Sequence, residues 1–285
     1  MARCEVCFRH CEIPEGGRGF CLARGCREGR VVPLNYGLVT SLALDPIEKK
    51  PLVRFRPGSR VLSVGSFGCN LRCPFCQNHE ISWSEEAMAF GERARRVTPE
   101  ELVEAALETR SRGNIGLAFT YNEPLIGWEF ILDAAKLSHA AGLVNVLVTN
   151  GTAELPVLEA LGPYIDAMNI DLKGFTEGYY GKLGGDLETV KAFIRRAVQI
   201  CHVELTTLIV PGENDSPAEM RALCAWVAGL RDGEGRLVGP SVPLHVSRFF
   251  PRFRMTDRGP TPVKTVYALA EVAREKLDYV YTGNC

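Results

Sequence analysis

Cys69, Cys73 and Cys76 fall in one short stretch, Gly68-Cys69-Asn70-Leu71-Arg72-Cys73-Pro74-Phe75-Cys76-Gln77-Asn78, directly after the apolar run Val61-Leu62-Ser63-Val64. The chemistry open to three thiols so spaced is metal ligation. Gly68 and Pro74 shape the turn, so one loop can wrap a compact group and present three thiolates to it. That arrangement suits an iron-sulfur cube with one iron left open. A structural zinc needs a fourth ligand, which His79 could supply, and both readings stand at this point.

A second set of thiols opens the chain. Cys4, Cys7, Cys11 and Cys21, with Cys26 close behind, lie among glycines and arginines with few core-forming residues. Burial alone can hardly fold such a segment, so a metal staple is expected. The pattern Cys-x2-Cys-x3-Cys-x9-Cys supplies four thiolates, and zinc and a second iron-sulfur cluster remain equally open. The alternative is free thiols packed under the fold.

The elements that must hold these groups repeat as strand, loop and helix from residue 60 onward. Residues 61–64 read as a strand with the cysteine loop at its end, and further strands are expected at 115–119, 144–148, 167–173, 205–210 and 243–247. Helices are expected over 125–141, 187–200, 217–230 and 262–276, and a last strand at 279–281. Thr98-Pro99-Glu100-Glu101 marks another helix start, with Thr98 as N-cap and Glu101 closing a capping box.

Polar groups cluster where these strands end: Thr120-Tyr121-Asn122-Glu123-Pro124, Thr149-Asn150-Gly151, and Asp171 with Lys173, which share a face because strand side chains alternate. Alternating strands and helices imply parallel strands with right-handed crossovers, an α/β fold. In a barrel the loops at strand C-terminal ends converge on one mouth. Upstream, 36–44 and 51–55 are expected to form a hairpin or a pair of edge strands. The turn between them, Asp45-Pro46-Ile47-Glu48-Lys49-Lys50, would leave Lys49 and Lys50 solvated. The expected division is a Cys-rich extension with its hairpin over 1–59 and a core barrel over 60–285.

Composition narrows the function classes. With 285 residues, 46% of them hydrophobic, the chain can bury a large core, and a net charge of -1 argues against nucleic acid or an anionic membrane as partner. No apolar run approaches a membrane span and no secretory signal opens the sequence, so a cytoplasmic protein is expected. Eleven cysteines, clustered as they are, suggest metal ligation in a reducing compartment more than a disulfide framework.

The cysteine loop resembles the signature of the radical S-adenosylmethionine (radical SAM) superfamily, whose core is a partial (β/α)6 TIM-like barrel. More closely, the Asp45–Leu52 stretch, Cys76-Gln77-Asn78, Thr120–Pro124 and Ser247-Arg248-Phe249-Phe250-Pro251 resemble the radical SAM protein of the AmmeMemoRadiSam system, a group similar to pyruvate formate-lyase activating enzymes. The resemblance implies that Cys69, Cys73 and Cys76 bind a 4Fe-4S cluster whose open iron chelates S-adenosylmethionine (SAM). One electron would then yield methionine and a 5'-deoxyadenosyl radical that abstracts hydrogen from a substrate. It implies a small electron donor of flavodoxin or ferredoxin type, and either a small-molecule or a protein substrate.

Tyr121-Asn122-Glu123-Pro124 takes the place of the superfamily's Gly-Gly-Glu-Pro element, with both glycines missing. Glu123 would hold the SAM ammonium or, alternatively, cap the following helix. Thr149 and Asn150 would contact the nucleoside or methionine part, and Asp171 and Lys173 the carboxylate or ribose, unless they simply pair with each other. His245 and Arg248 could contact SAM or substrate; a lone strand histidine is also commonly a hydrogen-bonded core residue. Phe67 and Phe75 would shield the cluster. The ferredoxin-like insert of many activases is missing from 79–97, which weakens a literal activase assignment. The group's pattern runs on past Tyr-x-Gly-Asn into a Cys-x-x-Cys segment, of which Cys285 alone is present here. From another class, a zinc-stapled binding protein would use Cys69, Cys73, Cys76 and His79 as one site.

Overall fold

The computed structural model describes residues 1–84, 86–87, 89 and 93–285. Within the charged stretch 79–97, positions 85, 88 and 90–92 therefore lie outside the described residues. Two small antiparallel ribbons begin the chain, β1 (Ala2–Arg3) with β2 (Glu12–Ile13) and β3 (Arg24–Arg27) with β4 (Arg30–Pro33). A third pairs β5 (Leu38–Val39) with a later strand, Arg95–Arg96.

The remaining strands form one sheet. They are β6 (Ser41–Pro46), β7 (Arg60–Gly65), then, numbering Arg95–Arg96 as β8, β9 (Asn114–Phe119), β10 (Val144–Thr149), β11 (Ala167–Asp171), β12 (His202–Ile209), β13 (Leu244–Arg248) and β14 (Val280–Gly283). Their spatial order is β14-β13-β12-β11-β10-β9-β7-β6, with β6 antiparallel to β7 and every later neighbour parallel. Sequential parallel strands joined through helices are the winding of a partial (β/α) barrel, with β6 and β14 as its two edges.

Helix starts follow their sequence signals. Thr98 Oγ1 accepts from the Glu101 N–H at 3.2 Å and the Glu101 carboxylate accepts from the Thr98 N–H at 2.9 Å, a complete capping box for helix Pro99–Glu108. Asp186 and Ser216 cap Leu187–Ala197 and Pro217–Ala228 one-sidedly, each side chain accepting from the N–H three residues on, Thr189 and Glu219. Among the described residues no helix is long and apolar enough to cross a membrane.

Alternation along the strands separates two cores. Leu62, Val64, Leu117, Phe119, Leu147 and Met168 join the large cluster shared with the helices, while Val61, Ala118, Val146 and Ala167 pack with Ile47 and Leu52 inside the barrel. This corrects the expected hairpin. Ser41–Pro46 pairs with Arg60–Gly65, and the segment after it is a plug, not a strand. Leu52 is fully buried, and the Pro51 carbonyl accepts from Asn169 Nδ2 at 2.9 Å. The Val53 and Arg54 N–H groups donate to Glu204 on β12 at 3.1 and 2.7 Å. Lys50 is not solvated either: it is buried and pairs with Asp45 at 2.8 Å, while Lys49 stays exposed.

Candidate active site

The cysteine loop leaves β7 through Gly68, whose φ is +96°. A Cβ at this position would meet the Cys21 carbonyl oxygen at 2.6 Å, so glycine is what lets the loop pass so near the N-terminal segment. The Cys69 N–H donates to that same carbonyl at 3.2 Å. Arg72 fastens the loop, donating to the Cys69 and Leu71 carbonyls at 2.9 and 2.8 Å and to the Phe20 carbonyl. Cys73 is buried, and Cys69 and Cys76 are partly so. Burial raises all three thiols, Cys73 to about 11, so a metal bound here would have to displace their protons.

All three thiols line a cleft of about 490 Å³ at the C-terminal ends of the parallel strands. Glu123 enters it from the end of β9 and is buried. Its Oε1 accepts from the Thr149 hydroxyl at 2.7 Å and the Leu125 N–H at 3.1 Å; its Oε2 accepts from the Asn150 N–H at 2.7 Å. Glu123 thus does cap the turn Pro124–Gly127, and Thr149 and Asn150 hold its carboxylate. Burial pushes that carboxyl up to about 7 despite the three donors. Oε2 retains a lone pair for another donor.

Asn122 lines the cleft, yet its side chain is spent on backbone. Its Oδ1 accepts from the Ser66 N–H at 3.0 Å and its Nδ2 donates to the Gly68 and Glu123 carbonyls at 3.2 and 3.1 Å. It therefore ties the cysteine loop to the element that carries Glu123. Tyr121 has φ +74°, the left-handed region where a glycine sits without strain. The phenol of Tyr121 donates to Asp45 at 2.7 Å, and its ring lies 4.6 Å from Lys50 Nζ. Burial raises Asp45, but hydrogen bonds from Lys50 and Tyr121 outweigh it and hold the carboxyl at about 2.

Asp171 and Lys173 also face the cleft and pair with each other at 2.6 Å. Burial alone would lower Lys173, but the Asp171 charge beside it raises it. Arg248 reaches the rim, its Nε donating to the Thr261 carbonyl at 2.7 Å and its guanidinium 4.7 Å from the exposed Phe250 ring. Phe75 lies edge-to-face with buried Phe249, ring centroids 6.1 Å apart, closing the wall behind the thiols.

His245 is not brought to this cleft. Its Nε2 lies 2.7 Å from Glu204 Oε2 and its ring stacks on Tyr281 at 5.4 Å, lower in the barrel. Glu204 also meets His202 at 3.0 Å, and bonds from both histidines and the Arg54 N–H overcome burial and hold its carboxyl at about 2. His79 likewise goes elsewhere, stacking on Phe253 at 4.1 Å. Among the described residues no three His, Cys, Asp or Glu side chains converge on a single metal-ion position. A cluster asks for something different, one iron per thiolate.

Sequence reasoning missed the Asp45–Lys50–Tyr121 set and Glu204. The signal for Glu204 was present: a lone carboxylate in the apolar run His202–Ile209 needs partners inside. Lys50 offered no such signal, since lysines after a Pro-containing turn are ordinarily solvated.

The family model for the radical SAM superfamily matches residues 63–224, which include the cysteine loop, Glu123, Asn150, Asp171 and Lys173. An uncharacterised protein of Methanocaldococcus jannaschii is 41% identical over 285 residues, covering 99% of this chain and 81% of that protein. The pyruvate formate-lyase-activating enzyme of Clostridium pasteurianum is 28% identical over 202 residues, 68% of this chain and 79% of that one. In three dimensions, Streptococcus suis SuiB matches with a TM-score of 0.58 at 12% identity, over 78% of this chain and 48% of that one, a likeness of fold. The chain belongs to the radical SAM superfamily.

Proposed function

We propose that Cys69, Cys73 and Cys76 hold a 4Fe-4S cluster beside SAM in this cleft, and that the chain uses them to take a hydrogen atom from a substrate at the barrel mouth. When bound, the cluster supplies one electron that splits SAM into methionine and a 5'-deoxyadenosyl radical. The carrying observation is convergence: three thiols from the β7 loop, Glu123 from β9, Asn150 from β10 and the Asp171–Lys173 pair from β11 line one cleft.

The chain's residues then have separate tasks. Glu123 Oε2 accepts from the SAM ammonium in a charge-assisted bond, with Thr149 and the Asn150 N–H fixing the carboxylate. Lys173 would meet the carboxylate of SAM and Asp171 its ribose, both side chains lining the cleft. Asn122 acts as a positioning residue, and Phe75 with Phe249 limits water near the thiols. A small flavodoxin- or ferredoxin-type donor brings the electron. Similarity to a pyruvate formate-lyase-activating enzyme favours, as a second reading, a glycyl-radical activase acting on a protein loop.

The test is anaerobic reconstitution with iron and sulfide, then reduction in the presence of SAM. Wild type should release 5'-deoxyadenosine, and Cys69→Ala, Cys73→Ala or Cys76→Ala should each abolish it. Cleavage that survives any of these substitutions would sink the assignment.

A further inference from the structure

Four of the five cysteines near the start of the chain are drawn to one place. Cys4, Cys7, Cys11 and Cys21 line a single pocket walled by Ile13 and Ile126, whereas Cys26 lies outside it and donates to Glu15 at 3.4 Å. Within the pocket the centre of a water-sized sphere can range over about 10 Å³. Four thiolates on a tetrahedral zinc leave no such room, because each sits about 2.3 Å from the metal. The described residues also show no three such ligands converging on one metal-ion position. A four-iron cube satisfies both observations: each cysteine takes its own iron, and the inorganic core fills the middle. Arg9 lines the same pocket and sets positive charge against the thiolates.

This pocket abuts the cysteine loop of the cleft. The Cys21 carbonyl accepts from the Cys69 N–H at 3.2 Å. Asn70 lines the pocket and its Oδ1 accepts from Asn150 Nδ2 at 2.9 Å; the same Nδ2 lies 3.8 Å from Cys69 Sγ. One hydrogen-bonded layer separates the two sets of thiols.

We infer that Cys4, Cys7, Cys11 and Cys21 hold a second 4Fe-4S cluster that passes electrons to the site at Cys69, Cys73 and Cys76. The step moves one electron and makes or breaks no bond. A reduced flavodoxin- or ferredoxin-type carrier is oxidised, the N-terminal cluster is reduced, and it is reoxidised as the active-site cluster accepts the electron. The acceptor rests on the radical SAM reading; the N-terminal cluster does not.

The test uses the full chain with Cys69→Ala, Cys73→Ala and Cys76→Ala combined, reconstituted anaerobically and desalted. It should keep about four iron and four sulfide per chain, against about eight of each in wild type, with its own electron paramagnetic resonance signal on reduction. The N-terminal ligands are untouched in this variant, so damage to their segment cannot explain a loss. Iron below about one per chain, or stoichiometric zinc held by the variant as isolated, overturns the second cluster. Combined Cys4→Ser and Cys7→Ser should slow SAM cleavage about tenfold more with reduced flavodoxin than with dithionite, over and above any loss that both reductants share from a loosened segment. Equal slowing with both reductants overturns the relay. Wild type with about eight iron but no 5'-deoxyadenosine would refute the radical SAM reading and leave the N-terminal cluster standing.

Discussion

Glu123 is the residue whose surroundings say most about how SAM would be held under the proposed function. A carboxyl pushed up to about 7 by burial is half protonated in neutral solution, and only its ionised form can pair with an ammonium. Affinity for SAM should therefore rise as pH climbs through about 7, and titration of the reconstituted protein across that range measures it. Glu123→Gln should remove the pH dependence and weaken binding by about 1.5–3 kcal/mol, roughly tenfold to a hundredfold, with iron content unchanged. A pH-independent affinity in wild type would show that Glu123 serves only as the cap of Pro124–Gly127. The neighbouring Tyr121 shows where residue-level reading runs out. The missing glycine was visible, but a left-handed tyrosine, strained by about 1–3 kcal/mol, is tolerated because Asp45 and Lys50 hold it from another strand and turn.

At the scale of elements, most of the parallel strands were legible because β7, β9, β10 and β11 are mainly apolar and buried on both faces, and the longer helices because Thr98 and the apolar periodicity mark them. Helices Leu155–Leu161 and Glu177–Lys182 were not, being too short for a periodicity to show. The plug after β6 misled for another reason: its apolar residues fill the barrel floor, a tertiary fact that alternation cannot encode. Glu204 anchors it through the Val53 and Arg54 N–H groups and two histidines. Its carboxyl lies near 2 in the folded chain, below the unfolded value of about 4.3. The stability it confers is therefore fully present above that unfolded value and is lost as pH falls toward about 2. Glu204→Gln should cost on the order of 3 kcal/mol in urea unfolding at neutral pH and flatten the acid limb of the stability profile. A variant as stable as wild type at neutral pH, with the acid limb of its profile unchanged, would mean that apolar packing of Leu52 alone seats the plug.

For the whole molecule, the N-terminal segment braces the loops that line the cleft without lining it itself. Arg24, almost fully buried, forks onto both oxygens of Glu129 at 2.7 Å. Cys7 bridges to Ala153, and the Glu154 N–H donates to the Val6 carbonyl at 3.0 Å. These contacts clamp the loops after β9 and β10, the two that present Glu123 and Asn150. An open barrel cannot brace such loops from its missing strands, so an added segment must. Arg24→Ala leaves Glu129 without its partner and should loosen the clamp by about 2 kcal/mol, speeding amide exchange roughly thirtyfold in 122–130 and 149–154. Exchange in Val146, Leu147 and Met168, deep in β10 and β11, should stay unchanged, since Arg24 touches neither strand. If protection fell across the strands as well, the segment would be part of the barrel's own cooperative unit. If it fell nowhere, Gly68 and the Cys21–Cys69 hydrogen bond would be the contacts that hold the rim.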